Sequence, residues 1–132
     1  MSNLNDPELL ADLRKHAVDG GTFEMYVGDG WLRLVRECHE AVVRRFPDYE
    51  LHAVKEKYAE LAFQAFPGPR ENYPGGSWPL AEMAAVDELT DLFRERSATI
   101  CEACGSPGEW RDHNGHEVTL CGRCSARVNE SS

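Results

Sequence analysis

Apolar side chains recur at helical spacing in the first part of the chain. Asp6 is a good N-cap, and Pro7 suits the first turn of a helix. The apolar positions that follow fall on one helical face: Leu9, Leu10, Leu13 and Ala17. Because glycine readily adopts the left-handed conformation that ends a helix, Asp19-Gly20-Gly21 predicts the end of this first helix.

A second amphipathic helix is predicted after Gly28-Asp29-Gly30. One apolar stripe runs at i, i+3, i+4 and i+7 steps: Trp31, Leu34, Val35, Cys38, Ala41, Val42 and Phe46. Pro47 ends the pattern. Cys38 lies within the stripe and is interpreted as a small buried side chain rather than a reactive thiol. His39 lies off the stripe, so we expect it in solvent.

The segment 49–66 has two interpretations. Leu51 and Ala53, and then Leu61, Phe63 and Ala65, alternate as strand residues do. Apolar residues at 54, 58, 61, 62 and 65 also fit a helix, and the composition around them favours a helix on propensity. The hydrophobic pattern alone therefore leaves strand and helix open.

A loop and a third helix follow. Prolines and glycines recur from Pro67 to Pro79, which predicts a loop. Apolar residues then recur in a third predicted helix from about Pro79 to Arg96, which leads directly into the first cysteine of the next segment. We expect the last four residues, 129–132, to be frayed.

Composition places the chain among ordinary globular proteins. It has 132 residues, of which 42% are hydrophobic and 28% charged. No run approaches the roughly 20 apolar residues of a membrane helix, and the first residues show no basic and apolar leader pattern. We therefore expect a cytoplasmic protein with no membrane association. In a reducing compartment, paired cysteines favour metal binding over disulfides.

Four cysteines in two Cys-x-x-Cys pairs, Cys101/Cys104 and Cys121/Cys124, carry the clearest chemistry. Two such turns supply the four thiolates that Zn²⁺ prefers in a closed structural site, although tetrahedral sulfur ligation also suits iron. Strands are predicted at 109–111 and 117–120, with Asn114-Gly115 as a hairpin turn between them. The spacing predicts a zinc ribbon with these four cysteines as its ligands.

Catalysis is not predicted at this site. Four sulfurs complete a tetrahedron, so His113 and His116 are interpreted as polar residues of the hairpin tip. The His-x-Glu and Pro-Cys-x-x-Cys segments of zinc deaminases are absent. Asp112-His113 and the second cysteine pair are similar to part of an HNH nuclease motif. However, the interval between the pairs is too short for that fold, and Ser125 stands where a histidine is usual.

The charge of −9 disfavours nucleic-acid binding. Within 101–132, three arginines face five carboxylates, and four metal-bound thiolates around Zn²⁺ would add two more negative charges. Two tryptophans offer a different kind of contact. Trp110 on the ribbon and Trp78 in the loop are interpreted either as anchors of a protein interface or as packing in minor cores.

Several segments resemble a group of uncharacterised small zinc-ribbon proteins common in bacteriophages and prophages. The resemblance covers roughly 28–125 and is carried by Gly30-Trp31-Leu32, Val54-Lys55-Glu56-Lys57-Tyr58, Cys101-Glu102-Ala103-Cys104-Gly105-Ser106-Pro107-Gly108 and Thr119-Leu120-Cys121. In that group the Val-Lys-Glu-Lys-aromatic segment usually precedes a glycine and an alternating strand. The resemblance therefore implies a β-hairpin over 50–66, although that glycine and an arginine of the following strand are absent here.

Together these features predict an α+β protein in which helices pack on a small antiparallel β-hairpin and a C-terminal four-cysteine zinc ribbon follows. The predicted domains are 1–97, helical or α+β, and 98–128, the ribbon. The leading functional hypothesis is a non-enzymatic zinc-binding interaction protein, a phage accessory factor that binds a host or phage protein. The alternatives are a nucleic-acid-binding or transcription-linked ribbon and, least favoured, an HNH-like nuclease.

Overall fold

The computed structural model of the chain describes residues 6–18 and 23–131, with side chains described as far as Val128. The helices and strands are α1 (Pro7–Arg14), β1 (Glu24–Tyr26), α2 (Leu32–Arg45), β2 (Glu50–Lys57), β3 (Glu60–Phe66), α3 (Leu80–Ser97), β4 (Glu109–His113), β5 (His116–Leu120) and α4 (Gly122–Ser131). The predicted α+β class is confirmed. None of the helices in the described ranges has the length and apolar character needed to cross a membrane.

Helix α1 begins as predicted and ends earlier. The Asp6 carboxylate accepts a hydrogen bond from the Leu9 N–H and caps the helix. The prediction that Ala17 belongs to this helix is wrong. Leu51 donates its N–H to the His16 carbonyl, and Ala17 forms a parallel bridge with Leu51, so pairing with the sheet takes the chain out of the helix. The predicted cap at residues 19–21 lies outside the described residues.

Helix α2 confirms the predicted stripe but not the predicted exposure of His39. A single 3₁₀ turn, Asp29–Trp31, leads into the helix, whose apolar face is buried. His39 is buried as well, and its Nδ1 lies 2.7 Å from the hydroxyl of Tyr49. The expectation of a solvated His39 is wrong because the chain after Pro47 folds Tyr49 back against the polar side of the helix.

The first sheet has strand order β1-β2-β3. Strands β2 and β3 form the antiparallel hairpin that the resemblance implied, so the hairpin interpretation of 50–66 is confirmed. Its turn is made without glycine. Tyr58 and Ala59 adopt positive φ values of 54° and 70°, and the Glu56 carboxylate accepts the Ala59 N–H. Strand β1, which pairs parallel to β2, was not predicted because three residues are too short to show a pattern.

One face of this sheet packs against the helices and forms the main core. The largest fully buried side chains there include Trp31, Tyr49, Leu9, Leu13, Leu51 and Leu61. The opposite face carries the exposed Tyr26 and the half-buried Lys55, which are paired in register. Amphipathic helices on one face of a sheet bury their apolar stripes in this arrangement.

Helix α3 lies beside β3 with the two elements running in opposite directions. Near its C-terminus the hydroxyl of Ser97 accepts the Leu61 N–H, and Arg94 forms an ion pair with Glu60. The helix has the bounds that the sequence predicted to within one residue. In the loop before it, which also contains two single 3₁₀ turns, the half-buried Trp78 stacks on Phe66.

The C-terminal part contains the predicted hairpin, β4 and β5, which turns at Asn114 and Gly115 with positive φ at both residues. Both strands are longer than predicted and reach His113 and His116. The segment 129–132 was expected to be frayed; the backbone of α4 continues to Ser131, and residue 132 lies outside the described residues. The domain boundary near residue 97 stays a prediction, and hydrogen bonds cross it.

Candidate metal centre

Two tight turns present the four cysteines. The first follows α3, where the Gly105 N–H bonds to the Cys101 carbonyl and Gly105 adopts a φ of +86°. A side chain at that φ is strained, which explains glycine directly after Cys104. The second joins β5 to α4, and the Cys124 N–H points at the Cys121 sulfur at 3.4 Å. Both turns thus direct their sulfurs toward one point.

The four Sγ atoms of Cys101, Cys104, Cys121 and Cys124 all lie within 4.8 Å of one another. The Sγ atoms of Cys104 and Cys121 are 3.7 Å apart. Zinc–sulfur bonds of about 2.3 Å in a tetrahedron require sulfurs about 3.8 Å apart. The donor set therefore fits a tetrahedral ion, and the cluster can hold a metal. The predicted clustering of the four cysteines is confirmed.

The cluster has a buried side and an open side. Cys101 is 0% exposed and Cys124 6%, and both pack with Leu120 in a small core of their own. Cys104 is exposed and Cys121 is half-buried. Two ligands are thus fixed by packing, while the other two leave a path from solvent by which an ion can enter.

The local hydrogen bonds prepare part of the cluster for thiolate chemistry. Hydrogen bonds from the Ser106 side chain and backbone lower the pKa of the Cys104 thiol to about 6. The Cys124 N–H lowers the pKa of the Cys121 thiol. Burial raises the pKa of the Cys124 thiol to about 12. Because thiolates are the ligands, metal binding releases protons.

The first cysteine turn is bonded to the segment before α2. The Gly28 N–H donates to the Glu102 carboxylate at 2.9 Å, and the Gly30 N–H donates to the Glu102 carbonyl at 2.7 Å. The indole N–H of the fully buried Trp31 donates to the Ile100 carbonyl at 2.8 Å. Two of these donors therefore hold the backbone on both sides of Cys101, and the third holds the Glu102 side chain.

This contact requires glycine at position 30. A Cβ atom there would overlap the carbonyl oxygen of Cys101 and the backbone nitrogen of Gly105. The pattern Gly-Asp-Gly-Trp was visible in the sequence, where it was interpreted only as a helix start. Its second role, as the surface on which the first cysteine turn packs, could not be found without the long-range contact.

A second contact joins the two sheets. The Thr119 hydroxyl donates to the Ala59 carbonyl at 2.7 Å, and the Glu102 N–H donates to the Thr119 carbonyl at 2.9 Å. Thr119 is buried by this packing. The turn between β2 and β3 and the first cysteine turn therefore both contact the same residue of β5.

Glu102 is the charged residue closest to these contacts. Burial raises the pKa of its carboxyl group, while the hydrogen bond from the Gly28 N–H acts in the opposite direction. The negative charge of Glu56 adds to the upward shift of this pKa. A carboxylate held by a backbone N–H in a half-buried position serves here as a link between segments, since it is not one of the four clustered ligands.

The other residues singled out in the sequence lie away from the sulfurs. His113 and His116 are not part of the cluster, and His113 Nε2 lies 3.3 Å from the Ser125 hydroxyl. Cys38 is fully buried in the main core, where burial raises the pKa of its thiol. Trp110 is 57% exposed, and its indole N–H donates to Glu117.

Comparison with protein-family models, with curated proteins and with solved structures finds no match to this chain.

Proposed function

We propose that the protein is a non-enzymatic zinc-binding interaction protein. The observation that carries this proposal is the cluster of four sulfurs within 4.8 Å of one another. Four thiolates complete a tetrahedron and leave no open position for substrate or water, which is the arrangement of structural zinc sites. Bound Zn²⁺ crosslinks the two cysteine turns, so the free energy of metal binding adds to the free energy of folding.

The partner in this proposal is a protein. Trp110 presents an exposed indole on the ribbon, and exposed tryptophans anchor many protein interfaces. Hydrogen bonds made by Gly30 and Thr119 join the ribbon to the rest of the chain. The resemblance to phage and prophage proteins supports the role of a phage accessory factor that acts on a host or phage protein.

The two alternatives have weaker support. Phosphate binding requires clustered Lys and Arg, whereas the ribbon carries more carboxylates than arginines. In HNH-like nucleases a histidine is usual at the place that Ser125 occupies here. A gel shift at low salt and a cleavage assay with Mg²⁺ or Mn²⁺ test these alternatives directly. A clear shift or metal-dependent cleavage would contradict the proposal of a non-enzymatic, protein-binding role.

Metal content tests the zinc assignment. Native mass spectrometry of protein purified without added metal is expected to show one Zn²⁺ per chain. Cys101→Ser and Cys124→Ser should lose the ion, because each removes one of four ligands. Cys38→Ser is the matched control, since Cys38 lies in the other core and should leave the metal content unchanged. One iron per chain, or no metal in the parent protein, would refute the assignment.

The interaction assignment needs a separate test. Immobilised, zinc-loaded protein should capture one bacterial or phage protein from a lysate, and Trp110→Ala should reduce that capture while zinc stays bound. The indole is largely exposed, so the substitution removes contact area with little effect on the fold. Equal capture by both proteins would show that Trp110 is not part of the interface.

A further inference from the structure

A groove of about 310 Å³ runs between β3 and α3, away from the metal centre. Ala62 and Phe66 lie on the sheet side of the groove, and Asp87, Asp91 and Arg94 line its helical wall. Its sheet side is mainly apolar and its helical wall is charged. A mainly apolar cleft with a few polar groups is the usual lining of a ligand site.

The floor of the groove includes the backbone of an edge strand. In the described residues, β3 has a strand neighbour on one side, β2. Lys57 and Glu60 pair next to the two-residue turn, so the peptide groups of Leu61 and Phe63 point away from β2. The bond from the Leu61 N–H to Ser97 confirms this direction. Phe63 is one of the residues that line the groove, although its side chain packs in the core.

The wall of the groove carries two carboxylates and one guanidinium. Asp87 and Asp91 are both exposed, and Arg94 is already paired with Asp91 at 3.3 Å and with Glu60 at 3.4 Å. Two aspartates four positions apart on a helix are separated by about 6 Å along its axis. Alternate side chains of an extended strand are about 6.6 Å apart. The wall thus matches a strand with basic residues at alternate positions.

We propose that this groove binds an extended peptide segment of a partner protein with Lys or Arg at two alternate positions. The basic side chains pair with Asp87 and Asp91, and the peptide backbone bonds to the N–H and C=O of Phe63, as in strand addition to a sheet edge. This inference rests on the proposed interaction role and names the chemistry of its partner.

Other occupants fit the groove less well. Phosphates of a nucleic acid would be repelled by the two aspartates. A second copy of this chain has the required spacing in Lys55 and Lys57, but these residues already belong to β2, whose two sides pair with β1 and β3. A partner segment that is extended and unpaired before binding meets neither obstacle.

A labelled peptide provides the test. Fluorescein-labelled Thr-Lys-Val-Lys-Val-Thr is titrated with zinc-loaded protein at low salt, and its anisotropy is measured. It should bind more tightly than Thr-Lys-Lys-Val-Val-Thr, which has the same composition without the alternation. The peptide with Glu in place of Lys should not bind. Equal binding of the first two peptides, or binding of the Glu peptide, would overturn the proposal.

Variants of α3 locate the site. The pair Asp87→Asn and Asp91→Asn should weaken binding about fivefold to tenfold, the effect expected for two partly exposed ion pairs. The matched control is Glu88→Gln with Glu95→Gln, which removes two charges from exposed positions on the same helix that do not line the groove. If both double variants weaken binding equally, the peptide responds to net charge alone, and the groove assignment fails.

Two further measurements separate the outcomes. Methylation of the backbone nitrogen of the central valine should weaken binding, since it removes a donor available to β3; unchanged affinity would overturn strand addition. Competition by single-stranded DNA, or dimerisation of the protein without peptide, would assign the groove to another occupant. Zinc content is measured in every sample. If the peptide does not bind although the protein holds one zinc ion per chain, this inference alone is refuted. If the protein holds no zinc, the proposed function is refuted.

Discussion

The backbone N–H of Gly30 donates a 2.7 Å hydrogen bond to the carbonyl oxygen of Glu102, which immediately follows the first cysteine of the cluster. The entry to α2 and the first cysteine turn therefore share one backbone contact across more than half of the chain. Because this contact leaves no room for a side chain at position 30, metal binding and the packing of α2 are expected to depend on each other.

Gly30→Ala should weaken both metal binding and the packing of α2. The added methyl group must displace the backbone of the first cysteine turn, and overpacking of this kind costs about 1–3 kcal/mol. Thermal unfolding should occur at a lower temperature, and a chelator should remove zinc faster. Gly122→Ala is the control in the second cysteine turn, where a Cβ meets nothing within 4 Å. Equal stability of the two variants would contradict the close contact.

Metal removal should be detected by Trp31. Its indole N–H bonds to Ile100, adjacent to Cys101, so loss of the first turn exposes the buried ring. A variant with Trp78→Phe and Trp110→Phe leaves Trp31 as the one tryptophan of the chain. Its fluorescence is expected to shift to longer wavelength when zinc is chelated and to return when zinc is restored. An unchanged spectrum would show that the main core is indifferent to the metal.

His113→Ala and His116→Ala should each retain one zinc per chain. Neither ring belongs to the four-sulfur cluster, and His113 instead contacts Ser125 at 3.3 Å. Loss of that partly buried hydrogen bond should cost about 1 kcal/mol or less. Native mass spectrometry measures the metal content. If either variant lost its zinc, the assignment of four cysteine ligands would be wrong.

The stability of the protein should fall as the pH drops below about 6.5, the pKa of an unfolded histidine. Burial and the charge of His16 lower the pKa of His39, so the unfolded chain binds a proton that the folded chain resists. The contribution of neutral His39 to the stability of the fold is full above that pH. It is lost as the pH falls to the lowered pKa of His39. Denaturant titrations of His39→Gln should show a smaller decrease between pH 7 and 5.5. A decrease in His39→Gln equal to that of the parent protein would contradict this assignment.

Tyr49→Phe tests the same contact at neutral pH. It removes the hydroxyl that lies 2.7 Å from His39 Nδ1 and leaves a buried imidazole nitrogen without this partner. The expected loss in the free energy of unfolding is roughly 1–3 kcal/mol. Urea titration at pH 7.5 measures it. A loss well below this range would mean that water replaces the hydroxyl at His39.

Tyr58→Asn should stabilise the protein by about 0.5 kcal/mol. Tyr58 is exposed at a φ of 54°, a conformation that asparagine tolerates better than tyrosine. The loss of the contact between Lys57 and the ring reduces the gain. Tyr26→Asn is the control, because Tyr26 is equally exposed but lies in β1, where asparagine is unfavourable. Destabilisation by both substitutions would show that the turn is not strained.

Local patterns were sufficient for much of this fold. The α2 stripe, the loop, α3 and the Asn114-Gly115 hairpin each depend on neighbours within a few residues, and each was predicted. The four-sulfur cluster followed from the spacing of the cysteines alone. Two short turns joined by a hairpin leave few ways to place the four sulfurs other than close together. The hairpin of β2 and β3 needed the family resemblance, since its apolar residues fit both periods.

The predictions that failed depended on distant partners. His39 is polar and lies off the apolar stripe, but Tyr49 covers it from the far side of Pro47. Ala17 leaves the helix because Leu51 pairs with that segment. No pattern in residues 28–31 identifies Glu102 as the partner of Gly30. In each case the deciding contact joins residues at least ten positions apart, and a local hydrophobic pattern does not reveal such contacts.

Three of the hydrogen bonds that hold the ribbon have a consequence for the rate of folding. Gly28 and Glu102, Trp31 and Ile100, and Ala59 and Thr119 are separated by 74, 69 and 60 residues. Contacts between residues so far apart in the sequence form slowly, because a long loop must close before they are made. Helices and hairpins should therefore appear first on refolding, and the rate of the last step should rise with the concentration of free zinc.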